Sequence, residues 1–221
     1  MSERSRGRPQ KSIVTKEKIA SVSLKIAEQE GYDAITMAAV ARSLGVATSA
    51  LYNHVRGKKE LLMLVQDAVM AQVDTSALML NLDGTISTEE AVIRWAHSYR
   101  DVFSRHSPLI AHIATMPVFG TQETIHMYEL LVQVLLQGGV TEDRVMDVIV
   151  AFESFIFGSA YDVAAPADIF DLPEHVTDAP GLRRALGQRL APTVVGTQNP
   201  YANPLFELGL SALIRGVVLN N

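Results

Sequence analysis

One short run of the chain, "LGVATSALYNHVRGKKELL" at residues 44–62, combines a glycine turn, small polar side chains, a tyrosine, a histidine and a basic cluster. On a helix, Thr48, Ser49, Tyr52 and Asn53 fall on one side, and Leu51 faces the other way. Short polar side chains on one helical face can reach base edges in the major groove, while the buried side packs on a neighbouring helix. The run therefore predicts a DNA-recognition helix.

The residues around this run can hold the DNA backbone. Tyr52, His54 and Lys58 can donate to phosphate oxygens, and the helix starts after Thr36 and Gly57 add amide groups with positive partial charge. The opening "RGRP" can place Arg6 and Arg8 along a minor groove, which attracts arginine where it is narrow. Alternatively, this tail is solvated and adds only a general attraction.

Charge is distributed unevenly along the 221 residues. Residues 1–60 hold 11 Lys/Arg against 6 Asp/Glu, a balance of +5, whereas residues 61–221 have a balance of −10. A basic end on an otherwise acidic chain indicates a polyanionic partner for that end, although charge runs are often only solvated faces.

Apolar spacing of three and four residues dominates the chain, and no segment reads as a confident strand pair. The pattern predicts an all-α fold. Capping residues and glycines place helices at 15–30, 37–44, 48–54, from 58, 88–105, from 107, 121–137, 142–165, 182–190 and 204–219.

Residues 12–65 resemble the DNA-binding domain of the TetR family of bacterial transcriptional regulators. The resemblance is carried by Ile19, Gly31, Thr36, Ala41, Leu44-Gly45-Val46, Leu51-Tyr52, His54 and the run from Lys58 to Leu62. It implies a dimeric, all-α, ligand-responsive repressor. By the same resemblance, six residues lie at DNA-contact positions: Thr36, Thr48, Ser49, Tyr52, His54 and Lys58.

Two residues depart from the common family pattern. Val55 stands where the family more often has Phe. A valine at this position is similar to the tetracycline-repressor branch. Ala47 replaces the Ser that often caps the recognition helix, which leaves the start of that helix open. Residues 200–219 resemble the C-terminal portion of tetracycline-repressor-like domains less strongly.

Large apolar side chains with a few polar tips in the acidic part of the chain predict a small-molecule pocket. Each of these residues could instead belong to the hydrophobic core. The candidate ligand-binding residues are Trp95, Tyr99, Phe103, His112, Met116, His126, Met127 and Phe152. The histidines lack the spacing of a metal site, so neither a metal nor another cofactor is predicted.

Two apolar stripes are candidates for the homodimer interface, and intrachain packing is the alternative for both. One lies within 145–161 and the other within 204–219. The candidate interface residues are Phe155, Ser159, Phe206, Leu210, Leu213, Ile214 and Val217.

These patterns divide the chain into a basic arm (1–11), a three-helix helix-turn-helix DNA-binding domain (12–60) and a helical effector-binding and dimerisation domain (61–221). The predicted function is a transcriptional repressor that binds a palindromic operator as a homodimer and is released by a small-molecule effector.

The chain has no cysteine, which fits the cytoplasm, and no stretch apolar enough to span a membrane. An enzyme and an all-α protein-binding adaptor are the alternatives. No hydrolase, P-loop or zinc-protease motif supports the former.

Overall fold

The computed structural model describes residues 14–113, 116–118, 121–189 and 199–217. The arm at residues 1–11, with Arg6 and Arg8, lies outside the described residues. Within them the chain is helical and contains no strand, so the prediction of an all-α fold is confirmed.

The described residues form eleven α-helices, with a 3₁₀ turn at Tyr32–Ala34 after the first. The helices are α1 Lys16–Glu30, α2 Met37–Leu44, α3 Thr48–Leu51, α4 Lys58–Met70, α5 Ser76–Leu82, α6 Thr88–Arg105, α7 Ser107–Ile113, α8 Gln122–Gln137, α9 Val145–Asp162, α10 Pro180–Gly187 and α11 Ala202–Val217.

The helices divide into two compact units. One contains residues 14–72 together with the described part of 111–125, and the other contains 73–110 with the described part of 126–217. The domain boundaries given by the sequence patterns remain a prediction.

Side-chain caps start the first two helices where the sequence places them. Thr15 accepts a hydrogen bond from the Lys18 amide at 3.2 Å, and Thr36 accepts one from the Ala39 amide at 3.1 Å. Each bond satisfies one of the amides that a helix start leaves without an internal partner. The α1 and α2 starts are therefore fixed by local sequence.

Two elements differ from the predicted pattern. Helix α3 starts at Thr48 as predicted but has only four residues, because the chain leaves the helix after Leu51 and continues as turns through 52–54. Helix α5 does not follow from the sequence pattern. Its start is capped by Asp74, which accepts from the Ser76 amide at 2.8 Å, and it packs against α6.

A fully buried apolar core holds the first unit together. Its members come from α1 to α4 and from the loop before α2, and none has measurable exposure: Ile19, Ile35, Val40, Leu51, Leu61 and Val65. Burial of this kind is the main stabilising contribution in a small helical unit. It holds the four-residue α3 in place even though so short a helix is unstable alone.

In the second unit a buried arginine joins three helices. Arg100 on α6 donates to the Ser159 hydroxyl on α9 and to the Asn203 amide oxygen on α11, both at 2.8 Å. Its guanidinium also lies 4.6 Å from the centre of the Phe206 ring. Because these partners lie far apart in sequence, Arg100 fixes the arrangement of α6, α9 and α11.

Helices α9 and α11 approach closely at one glycine. The rings of Phe155 and Phe206 stack with an interplanar angle of 4°, and a Cβ atom added to Gly209 would overlap the Phe155 ring. No such obstacle exists at Gly216 on the same helix, where an added Cβ atom would have no neighbour within 4 Å among the described residues.

We expect Gly209→Ala to lower the free energy of unfolding by about 1–3 kcal/mol, because the Phe155 ring must leave its stacked position on Phe206 to make room for the added methyl group. Urea unfolding measures the change. Gly216→Ala is the matched control and should be neutral or stabilising by up to about 1 kcal/mol, because alanine favours helix. Equal stability of the two variants would contradict the close approach.

Candidate functional site

The region around α3 presents polar side chains on one side and apolar ones on the other. Tyr52 is 56% exposed, and Ser49 and Asn53 are exposed as well. Leu51, between them, has no exposed surface. Thr48 and His54 are half-buried at the edge of the exposed face. The five polar residues predicted to contact DNA around α3 are thus exposed or half-buried, and three of them, Tyr52, Asn53 and His54, line one cleft.

The turn before α3 fixes the direction of that surface. Gly45 adopts a left-handed conformation (φ 68°, ψ 31°), and its amide donates to the Ala41 and Arg42 carbonyl groups. The Val46 amide also donates to Ala41, at 3.0 Å. These hydrogen bonds from the Gly45 and Val46 amides end α2, and the chain turns toward α3 within three residues, as a helix-turn-helix requires.

Helix starts bring the flanking positions to the surface. Thr36 is exposed at the start of α2, and Lys58 is exposed as the first residue of α4. Just before α4, the Arg56 amide donates to the Glu60 carboxylate at 2.8 Å, which closes the first turn of that helix. The exposed cation and hydroxyl are available to phosphate oxygens.

Three cations that were not among the predicted DNA contacts lie beside Tyr52 and His54. Lys16, Arg56 and Lys59 line a cleft of about 610 Å³ that also includes Tyr52 and His54. Lys16 is 36 residues from Tyr52 in the chain, and only the packing of α1 brings it here. Lys59 could have been identified from its place beside Lys58.

The residues predicted to bind an effector occupy different environments. Trp95, Tyr99, Phe103, Met127 and Phe152 are at most 1% exposed and form part of the core of the second unit. His112 and Met116 are half-buried, whereas His126 is exposed. The rings contact one another at centroid distances of 5.0–6.3 Å, for example Trp95 with Tyr99 at 5.4 Å and with Phe152 at 6.3 Å. In the described part of the chain, no group of three His, Cys, Asp or Glu side chains is arranged to hold a metal ion.

A carboxylate lies among these rings that the sequence patterns did not identify. Glu153 on α9 accepts hydrogen bonds from the hydroxyls of Tyr99 at 2.8 Å and Tyr128 at 2.6 Å, both at Oε1. Burial raises the pKa of Glu153 above its usual value, although the two hydroxyl groups act in the opposite direction. In the sequence, Glu153 is only a charge that interrupts an apolar helix, so its ring partners could not be foreseen.

An unpartnered donor accompanies Glu153. Trp95 Nε1 is buried and has no hydrogen-bond partner among the described residues. A buried indole N–H normally finds a partner, so this one provides a donor that a bound molecule can use. Together, the cluster offers one acceptor, one donor and several ring faces.

The candidate dimer residues mostly face their own chain. Phe206, Leu210 and Ile214 are at most 1% exposed on the side of α11 that packs on α6 and α9, and Ser159 accepts from Arg100. These four residues therefore have almost no surface left for a second copy. Phe155, Leu213 and Val217 are half-buried.

Both helices carry other apolar side chains on their outer faces. Those side chains are between 44% and 68% exposed: Met146, Val150 and Tyr161 on α9, and Leu205 and Leu208 on α11. None of the described helices is long and apolar enough to span a bilayer.

A buried three-helix core with an exposed polar recognition face defines a helix-turn-helix DNA-binding protein, and comparison with known families agrees. Residues 19–64 match the family model of bacterial regulatory proteins of the TetR family, and residues 82–219 match that of the tetracycline-repressor-like C-terminal domain. The chain belongs to the TetR family. It is a DNA-binding transcriptional regulator.

Individual relatives are distant in sequence. The transcriptional repressor DrrR1 of Streptomyces coeruleorubidus is 26% identical over 68% of this chain, a match that spans 54% of DrrR1. The class E tetracycline repressor of Escherichia coli is 25% identical over 90% of this chain and 88% of that protein. These relatives are regulators of transcription.

A solved structure has the same fold. Apo ActR from Streptomyces coelicolor superposes with a TM-score of 0.74 at 23% identity, covering 95% of this chain and 97% of ActR. ActR has also been solved in complex with actinorhodin.

Replacing Lys58 with Ala should weaken binding to every duplex, because one phosphate contact is lost. The slope of the logarithm of the binding constant against the logarithm of salt concentration should decrease in magnitude by roughly 0.9.

Asn53→Ala should leave this slope unchanged and alter base preference by about 1–3 kcal/mol at one position of each half-site. Titrations against selected and scrambled duplexes at several salt concentrations separate the two effects. An Asn53→Ala protein with unchanged preference would remove Asn53 from the base readers.

The buried carboxyl group of Glu153 makes stability depend on pH. Because its pKa is raised in the folded state, its contribution is present at low pH and is lost as pH rises through that folded-state value. Glu153→Gln keeps an oxygen for both tyrosines and cannot ionise. We therefore expect the variant to gain thermal stability relative to the parent as pH rises from about 4 to about 8. A pH-independent difference in melting temperature would contradict ionisation of Glu153 in this environment.

Proposed function

We propose that this chain is a repressor that binds a palindromic operator as a homodimer and releases it when a small-molecule effector binds. The observation that carries the proposal is the exposed Ser49–Tyr52–Asn53 face, backed by the fully buried Leu51, within the segment that matches the DNA-binding family model. Two copies related by a two-fold axis would read two half-sites of opposite orientation.

The DNA contacts divide into two kinds. Thr48, Ser49 and Asn53 read base edges, while Tyr52, His54, Thr36 and Lys58 hold phosphates. Lys16, Arg56 and Lys59 extend the phosphate-binding surface along the cleft beside α3. Arg6 and Arg8 reach the minor groove next to each half-site.

Selection of bound sequences from a random duplex pool tests this proposal directly. We expect an inverted repeat whose half-sites are centred about one helical turn apart, roughly 34–36 Å, or a multiple of that. Recovery of a single asymmetric site, or no enrichment at low salt, would contradict the homodimeric repressor and favour the protein-binding adaptor.

The second copy packs on the outer faces of α9 and α11. Their exposed apolar side chains follow helical spacing, with Met146, Val150 and Tyr161 on α9 and Leu205 and Leu208 on α11. Exposed apolar stripes on two adjacent helices favour burial against another protein surface, and a two-fold dimer buries the same stripe twice. Half-buried Phe155, Leu213 and Val217 complete the border of this face.

Replacing Leu208 with Arg should raise the dimer dissociation constant about a hundredfold or more, because the two-fold axis brings two uncompensated charges into one apolar interface. Sedimentation velocity over a range of concentrations measures it. The control is Leu182→Arg on α10, another exposed leucine (47%) outside the proposed face. A Leu208→Arg protein that stays dimeric would place the interface elsewhere.

The effector binds among the rings around Trp95, Tyr99 and Phe152, where Glu153 accepts a hydrogen bond from it and Trp95 Nε1 donates one. Because these rings are buried against one another, binding requires α6 and α9 to separate locally. When α6 and α9 separate, the helices change position, and the effector thereby lowers the fraction of the protein that is in the operator-binding conformation. The effector that suits this site is cationic or neutral and carries at least one hydrogen-bond donor.

Compounds that release the protein from its selected operator identify the effector. A relative is a tetracycline repressor and a structural neighbour has been solved with actinorhodin, so tetracycline and actinorhodin are tested first.

The protein acts in the cytoplasm, where its operator lies, and it carries out no catalysis. Turnover of any compound in the screen would contradict that last statement.

A further inference from the structure

A groove of about 840 Å³ lies between α1 and α4, and all the residues that line it belong to the first unit. Apolar side chains of both helices form its floor: Ala20, Leu24, Leu64, Ala68 and Ala71. The volume is large enough for a peptide segment or a small molecule, and it lies apart from the rings of the candidate effector site.

The charged side chains of this groove are mainly acidic. Carboxylates line it at four positions and ammonium groups at two: Glu17, Glu28, Asp67, Glu123, Lys16 and Lys25. Asp67 is engaged by backbone amides at the start of α8. Glu17 and Glu28 are exposed on α1, and their 11-residue separation places them about 16 Å apart along the helix axis. The groove therefore suits an elongated cationic occupant.

The basic arm (residues 1–11) has the complementary charge. It contains one acidic residue, Glu3, and four basic residues: Arg4, Arg6, Arg8 and Lys11. The described residues begin at Val14, two residues before the groove's first lining residue on α1. An extended segment of this length spans up to about 36 Å. The arm is therefore long enough to turn back and follow the groove over its whole length.

The spacing of the arm's arginines suits an extended conformation. Arg4, Arg6 and Arg8 occupy every second position, so an extended backbone places all three on one side over about 13 Å. Pro9 biases Arg8 toward extended conformations. Arginine stems can cover an apolar floor while their guanidinium groups reach carboxylates at its border.

We infer that the basic arm docks into the groove between α1 and α4 of its own chain when no DNA is bound. It runs antiparallel to α1, with Arg8 near Glu17 and Arg4 toward Glu28, and residues 9–13 form the turn. Oppositely charged surfaces of matching length select this arrangement.

Docking in the groove competes with DNA for the same arginines. The function proposed above places Arg6 and Arg8 in the minor groove, and this consequence of docking rests on that proposal. Only the fraction of protein with a released arm has it available for the operator, so the groove lowers the apparent operator affinity.

Paramagnetic relaxation enhancement tests the docking without DNA. The chain has no cysteine, so Ser5→Cys provides a unique nitroxide site between the arginines of the full-length protein. We expect the strongest broadening at the amides of 20–28 and 64–71, and loss of this pattern at about 1 M salt, where charges are screened.

Broadening that is equally strong on α2 and α3 would overturn the docking and leave the groove to another occupant. A second sample carries the nitroxide and the isotope label on different copies. Broadening of the groove that appears only in this mixed sample would assign the arm to the partner copy and overturn docking within one chain.

Operator titrations test the competition. We expect Glu28→Gln to tighten operator binding by about twofold to fivefold, because the docked arm loses one surface ion pair. In a protein that lacks residues 1–10, the same substitution should have no more effect than its control. The matched control is Glu30→Gln, which removes the same charge from an exposed position on α1 that is not among the groove's lining residues.

Tightening by Glu28→Gln that is equal with and without the arm, or that Glu30→Gln reproduces, would be a general charge effect and would overturn the competition. Failure of every version to bind a duplex would contradict the proposed repressor instead. The relaxation measurement then still decides whether the arm docks, since it contains no DNA.

Discussion

The left-handed turn at Gly45 is the constraint on which the recognition surface depends. Residues with a side chain are strained at this φ and ψ, whereas glycine is not. The turn ends α2 through bonds to Ala41 and Arg42, and α3 starts three residues later. Since α3 has only four residues, it has little stability of its own. Its orientation is set by this turn on one side and by burial of Leu51 on the other.

The second unit is organised by buried polar groups. Arg100 joins α6 to α9 and α11, and Glu153 joins the tyrosines of α6 and α8 to α9. Apolar contacts alone permit helices to slide or repack, but a buried hydrogen-bonded group loses its partner when they do. Both groups therefore select one arrangement of the helices.

Local chemistry made much of the fold predictable. The α1 and α2 starts follow from Thr15 and Thr36, and the ends of α2 and α8 follow from Gly45 and from the pair Gly138-Gly139. The recognition face was predictable for the same reason, because Thr48 to Asn53 are neighbours in the chain. The length of α3 could not be predicted, since the spacing of residues 52–54 still indicates helix although the chain forms turns there.

Features formed by residues far apart in the chain could not be predicted from the sequence. Periodicity identified the apolar side of α11 but not what covers it: the interface candidates Phe206 and Leu210 are buried within their own chain, whereas Leu208 on the same helix is 68% exposed. Glu153 accepts a hydrogen bond from Tyr128, 25 residues away, and Asp67 on α4 accepts one from the Gln122 amide, 55 residues away. No spacing rule connects such pairs.

The start of α8 is capped by Asp67 on α4, which accepts hydrogen bonds from the amides of Gln122, Glu123 and Thr124. Asp67, Gln122 and Glu123 line a groove of about 840 Å³ between α1, α4 and the first turn of α8, so water can reach the carboxylate and the amides. Exchanging such bonds for bonds to water changes the free energy by about 0.5–3 kcal/mol each. At this point α8 is therefore attached to α4 by hydrogen bonds that water can reach, whereas the hydrophobic cores are held by burial.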